Sequence, residues 1–294
     1  LLGHNFLTGG LNAGKLQAQT WFRHAGNLRP APAKGKLFFV SFAGQSRHNR
    51  RVTIAIGAFL NALGILLGAL AGLAARHPVA ARTQHFFKSA LGTFTVFYGL
   101  RLVYDNVHGT VFATLKQLLL AAVAVVLGYW IGKILRLQTV SNRLGHHAAQ
   151  LIAAAQKNPP GQSAAGFTAA TLLFCAAPLG ILGAVADGLE NYFYLLLVKA
   201  VMDGLAMLSF VKMFRWPVAL AAVPVFLFLN GLTLAVQLGA QPWLEAHAVA
   251  NYVGLAAGIV TGIVALVIFE IRRVELANYL PALVVAPLLA HWLG

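Results

Sequence analysis

Two ionisable residues stand one helical turn apart in an otherwise apolar run, Leu195-Leu-Leu-Val-Lys199-Ala-Val-Met-Asp203-Gly204. At i, i+4 they share a helix face, and Asp203 falls near the middle of the run 193–213. An ionised carboxylate at bilayer mid-depth costs on the order of a few kcal/mol, so Asp203 has to be paired or to line water. Two readings stay open. In one, Asp203 binds a proton, a cation or a cationic substrate, with Lys199 as its partner. In the other, the two charges neutralise each other and serve only the fold.

The preceding run, Thr168 to Gly188, carries Pro178, Gly180 and Gly183. Pro178 removes an amide donor, and the two glycines loosen the same turn. A broken helix at membrane depth is tolerated where it faces protein or a cavity; the alternative is a packing kink whose glycines permit close helix contact. Thr171 on this run and Asp187 at its outer end are further candidates for holding a solute or ion. Asp187, Glu190, Arg101 and Lys199 together suggest an outward-facing polar vestibule, with headgroup-level snorkelling as the other reading of Arg101. Asn61, Asn230 and Thr233 lie in apolar runs, where they either bond across helices or coordinate a substrate.

No enzyme motif appears: there is no glycine-rich phosphate loop followed by lysine, no His-Glu-x-x-His pair and no nucleophile elbow. We therefore expect no enzyme, no cofactor and no metal site. His146 and His147 are adjacent, so on a helix they diverge by about 100° and are ill placed to share a metal. The single cysteine, Cys175, excludes an internal disulfide and reads as a small buried hydrophobe.

The elements that must position these residues follow from composition. Of 294 residues, 59% are apolar and 10% charged, against about 25% charged in a typical soluble domain. The expected solvent is a bilayer, and the expected class is an all-α bundle of transmembrane helices. Apolar runs of spanning length fall at 54–75, 86–104, 115–135, 165–186, 193–213, 217–238, 250–269 and 277–293. The second contains Lys88 and Arg101; if it lies in the interface or re-enters, seven spans remain. Odd-numbered loops carry Arg76, Arg82, Lys88, Lys133, Arg136, Arg143, Lys157, Lys212, Arg215, Arg272 and Arg273, whereas even-numbered loops carry Lys116. That alternation places the odd loops in the cytoplasm and both ends of the membrane domain outside. In the longest loop, 139–157 suggests an amphipathic helix on the inner surface, ended by Pro159-Pro160-Gly161.

The net charge of +15 does not point to nucleic acid, because most bases of the apolar part sit in these loops. Residues 1–51 hold eight of the 22 Lys and Arg and no acid, which contradicts the orientation of the rest. We expect them to be an upstream extension, with translation starting at Val52; the alternative is a disordered basic tail that stays cytoplasmic. The membrane domain is then 52–294.

Phe59-Leu-Asn61 and Phe228-Leu-Asn230 each precede a small residue, which suggests that spans 1–3 and 6–8 form an inverted repeat of the kind common in secondary transporters.

Several segments together resemble one family. They are Ile56-Gly-Ala-Phe-Leu-Asn61-Ala-Leu-Gly-Ile-Leu-Leu-Gly68, Ala170-Thr-Leu-Leu-Phe-Cys175, Ile181-Leu-Gly183, Asp187-Gly188-Leu189, Lys199-Ala-Val-Met-Asp203-Gly204 and Ala277-Asn278-Tyr-Leu-Pro281. In order and spacing the chain resembles the domain-of-unknown-function 554 (DUF554) bacterial membrane proteins over essentially all of 53–290. Ala177-Pro178 departs from that pattern, which has small residues and no proline there. The resemblance implies a multi-pass protein of the bacterial inner membrane and supplies no substrate. With the residues themselves it leads us to expect a small secondary transporter or exporter, proton- or cation-coupled through Asp203. A non-transporting scaffold or assembly factor is the alternative. Expected partners are the bilayer and a small solute or ion, with a homo-oligomer open.

Overall fold

The computed structural model describes residues 55–75, 80–157 and 162–293, all within one compact unit, Val52–Gly294. The expectations for 1–51, for a start at Val52 and for Pro159-Pro160-Gly161 fall outside the described residues. Among the described residues every regular element is helical. The helices are α1 (Ile56–Ala74), α2 (Ala81–Asn106), α3 (Val111–Ile134), α4 (Leu137–Lys157), α5 (Gln162–Ala176), α6 (Pro178–Glu190), α7 (Tyr194–Phe214), α8 (Ala222–Ala235), α9 (Gln241–Ala246), α10 (Ala250–Ile268) and α11 (Ala282–Leu293). A 3-10 turn, Trp216–Ala221, leads into α8, a π-turn, Val236–Ala240, joins it to α9, and a second 3-10 turn, Leu276–Tyr279, precedes α11.

Six stretches are long and apolar enough to cross a membrane: Ile56–Ala74, Val111–Ile134, Tyr194–Phe214, Trp216–Ala246, Ala250–Ile268 and Leu276–Leu293. A seventh is the pair Ser163–Ala176 and Pro178–Glu190, bent by 56°. The run expected as one span over 165–186 is thus two helices meeting at Ala177, with Pro178 opening the second. Proline is at home there, because its missing N–H is one that a helix start leaves unbonded anyway. The second expected span, 86–104, is helical within the longer α2, but its polar residues keep it below the apolar threshold that the others meet. Large apolar side chains face outward, among them Leu70, Leu73, Phe112, Leu119 and Ile134. That is the surface a bilayer covers rather than water.

Small residues set the packing. Along α1, Gly64, Gly68 and Gly72 lie against Ala200, Gly204 and Leu208 of α7. Residue numbers rise together, so the two helices are parallel. A Cβ at Gly68 would run into the Gly204 carbonyl, and the approach therefore depends on glycine. α2 and α10 are antiparallel, with Gly92 against the Phe269 ring and Gly99 against Gly258. α3 and α11 are antiparallel too, with Gly128 at Ala282 and Gly132 at Asn278. The broken pair runs antiparallel to the whole of α7: Gly166 meets Phe214, and Gly183 meets Leu196.

Polar contacts tie the ends together. At one end Lys88 pairs with Glu270 at 2.5 Å. There too Gln138 exchanges bonds with the Asn278 side chain and the Ala277 amide, and the Ser163 hydroxyl donates to the Phe214 carbonyl. At the other end the Asn106 amide donates to Glu190 at 3.0 Å, and the Gly57 N–H to Asp187 at 3.1 Å. The amphipathic helix expected over 139–157 is present within α4, with Ala148 and Ala155 buried and Arg143, His146 and His147 exposed.

Candidate functional site

Lys199 and Asp203 lie on the face of α7 that meets α1 and α6, and both are buried, 1% and 7% exposed. Their ammonium and carboxylate are in direct contact through Asp203 Oδ2. The same oxygen accepts a hydrogen bond from Asn61 Nδ2 of α1 at 3.0 Å. Asn61 must turn its NH2 toward Asp203, since its carbonyl would face a carboxylate with like polarity. That leaves Asn61 Oδ1 buried with no hydrogen-bond partner among the described residues.

The helix break lies beside the ammonium. Lys199 Nζ is 5.8 Å from the centre of the Phe174 ring, the last turn of α5. Its stem crosses Gly180 in the first turn of α6, where a Cβ would come within 2.8 Å of Lys199 Cε. A side chain at Gly180 would push the Lys199 stem aside, and Phe174 offers a ring face to the cation. No side chain caps the start of α6; the Gly180 N–H bonds to the Ala177 carbonyl at 2.9 Å. A buried ion pair, a ring and an interrupted helix thus converge on the middle of the bundle.

The other candidates separate from this centre. Asp187 is buried near the C-terminal end of α6, where it accepts the Gly57 N–H. Asn230 accepts the Ala55 N–H at the start of α1 at 3.1 Å. Thr171 lies on α5, and its hydroxyl oxygen is buried without a partner among the described residues. The expected vestibule is not assembled. Arg101 pairs with Asp105 on the exposed face of α2, Glu190 binds Asn106, and Lys199 is taken by Asp203. Charges that sequence brings to one level are satisfied locally instead.

Three buried side-chain atoms lack a partner among the described residues: Asn61 Oδ1, Thr171 Oγ1 and Thr233 Oγ1. Each such group costs about 1–3 kcal/mol. They lie on α1, α5 and α8, the last packed on both of the others, and none is on α2, α3, α10 or α11. Phe174 and Gly57 are the contributors that sequence reasoning passed over. An aromatic or a glycine in an apolar run carries no signal until a charge or a carboxylate is placed against it.

Comparison with known proteins puts this geometry in context. The sequence model of a family described as "Protein of unknown function (DUF554)" matches residues 56–291. The chain is 24% identical over 231 residues to the "Uncharacterized membrane protein YdfK" of Bacillus subtilis, covering 79% of this chain and 93% of that protein. It is 28% identical over 241 residues to the "Uncharacterized protein YqgA" of Escherichia coli, covering 81% and 97%. No solved structure matches.

Proposed function

The chain belongs to the DUF554 family, and on that premise we propose that it is a small secondary transporter or exporter of the bacterial inner membrane. Coupling to a proton or cation runs through Asp203. The observation that carries this reading is the Asp203–Lys199–Asn61 centre, mid-depth in α7 and beside an interrupted helix, with Asn61 Oδ1 left unpartnered. Discontinuous helices with polar groups at the bilayer midplane are where secondary transporters bind their cargo.

The reading takes eight crossings, with α2 and the α5–α6 pair each counted as one. Its support is parity. Parallel α1 and α7, antiparallel α2 and α10, and antiparallel α3 and α11 all agree with eight alternating segments. The polar contacts between connections also join odd with odd and even with even, as Lys88–Glu270 and Asn106–Glu190 do. The helix pairs α1–α8, α2–α10 and α3–α11 each touch, an arrangement that an inverted repeat with its axis passing between them accommodates. Asn61 and Asn230, however, bind different partners.

The single native thiol tests the proposal. Cys175 is half-buried on α5, next to Phe174. In right-side-out and inverted vesicles, a charged water-soluble methanethiosulfonate should label Cys175 in the wild type. The centre is closed in this structure, so labelling requires opening. A second reading, a non-transporting scaffold, draws on that same closed packing and predicts an inert thiol from both sides. Metabolite profiling of a deletion strain and an Asp203→Asn strain should then alter the same solute.

A further inference from the structure

We propose that Asp187 is a second, outer proton-carrying site: charged, it caps the start of α1, and protonated, it releases that cap. The inference rests on the transport reading, which places the centre at Asp203, and it names the coupling ion and the place where it boards.

The geometry begins at α1. This helix opens at Ile56 with no side-chain cap of its own and no acid in its first turn. Two side chains from distant parts of the chain satisfy its first amides, Asn230 at Ala55 and Asp187 at Gly57. A carboxylate at a helix N-terminus is stabilised by the aligned peptide dipoles and by a charge-assisted hydrogen bond. Asp187 needs that stabilisation, because it is 5% exposed and takes part in none of the ion pairs among the described residues, which are Lys88–Glu270, Arg101–Asp105 and Lys199–Asp203.

The surroundings hold no other cation for it. α1, α8 and the π-turn, all packed on α6, contain no titratable side chain. α10 contributes Tyr252, α5 Cys175, and α6 itself Glu190, which is bound to Asn106. Tyr192 follows α6 and donates to the Tyr98 carbonyl. On α7 stand Tyr194, stacked on Tyr98, Lys199 and Asp203, which satisfy each other, and Lys212 in the last turn at the far end. A buried residue with an unsatisfied side chain packs on the same turn of α6. Thr233, 3% exposed, has an unpartnered hydroxyl oxygen, and its backbone carbonyl packs on Gly188, the neighbour of Asp187. A protonated Asp187 becomes a donor, which the charged form is not.

α1 links this site to the centre. Gly57, which binds Asp187, and Asn61, which binds Asp203, are one turn apart on it. Protonation at Asp187 therefore loosens the helix that also holds Asp203, and the two carboxylates report to each other through a rigid element.

The test uses the full chain with carbon-13 aspartate in lipid nanodiscs. The sequence has three aspartates, Asp105, Asp187 and Asp203. In Asp105→Asn/Asp203→Asn, Asp187 is the sole labelled carboxyl. Infrared difference spectra taken from mildly alkaline to mildly acidic pH should show a labelled protonated-carboxyl band growing in that variant. Over the same range, hydrogen exchange around Gly57 should quicken relative to the exposed His108 and Gly109. In Asp187→Asn the exchange response should be lost. A carboxyl that stays unprotonated throughout overturns the proposal, and so does protonation without faster exchange at Gly57. Either failure leaves Cys175 labelling, and with it the transport reading, intact. An inert Cys175 with a titrating Asp187 defeats transport and keeps the proton site.

Discussion

The side-chain amide of Asn61 on α1 donates to Asp203 on α7 at 3.0 Å, bridging 142 positions of sequence. It shares its acceptor oxygen with Lys199. Asn61→Leu keeps the volume but removes a hydrogen bond to a charged group. It also removes the unpartnered Oδ1, so the loss should fall below the ~1.5–3 kcal/mol that a bond to a charged group contributes, read by reversible unfolding in mixed micelles. A gain in stability would mean that the bond contributes little in the membrane.

Asp203→Asn retains an acceptor for Asn61 and the shape of the side chain. The variant should insert and fold, with transport abolished; activity at wild-type level would return the pair to a purely structural role.

Lys199→Ala leaves the buried carboxylate without its cation. Removing one member of a buried pair costs about 3–5 kcal/mol, whereas replacing both by apolar residues is close to neutral. Thermal denaturation should therefore show Lys199→Ala markedly less stable than Lys199→Met/Asp203→Leu. Equal losses would contradict the pairing.

Gly68→Leu should separate α1 from α7, because even a Cβ at Gly68 meets the Gly204 carbonyl. Overpacking usually costs about 1–3 kcal/mol, and contact with backbone sets the upper end. Asn61 is on the same helix, so a cysteine cross-link between positions 61 and 203 should weaken in parallel.

The topology makes its own prediction. In a Cys175→Ser background, cysteines at His108 and Asn191 should react with an impermeant maleimide from outside, and those at Arg143 and Arg273 only from inside. Labelling of His108 from the inside would show that α2 does not cross.

Glu270 gives a pH dependence with a definite sign. Its exposed carboxyl is held below the ordinary value by the hydrogen bond and the charge of Lys88. A depressed carboxylate contributes its stability above the unfolded value, about 4.3 for Glu, and loses it as pH falls through the lowered folded one. The difference in melting temperature between wild type and Glu270→Gln should be small at neutral pH, vanish in acid and shrink in high salt. A difference that grows in acid would refute the pairing.

Much of this molecule is legible in one dimension. Six of the apolar runs become continuous elements long and apolar enough to span, because hydropathy over about 20 residues is the quantity a bilayer selects. The Lys199–Asp203 pair is legible too, since i, i+4 spacing is local geometry. So is the weakness of α2, whose Lys88 and Arg101 are visible in the run itself.

Tertiary structure decided the rest. Pro178 does not kink a helix but begins one, a distinction that depends on where the amides of the preceding turn go. Asn61 rather than Asn230 reaches Asp203, although both stand in the same Phe-Leu-Asn setting, because glycine contacts draw α1 along α7 in parallel. Arg101, Glu190 and Lys199 do not form a common vestibule, since each finds a nearer partner. Which polar atoms remain without one is a property of three-dimensional packing alone, and that property separates Asn61, Thr171 and Thr233 from every other buried polar side chain described.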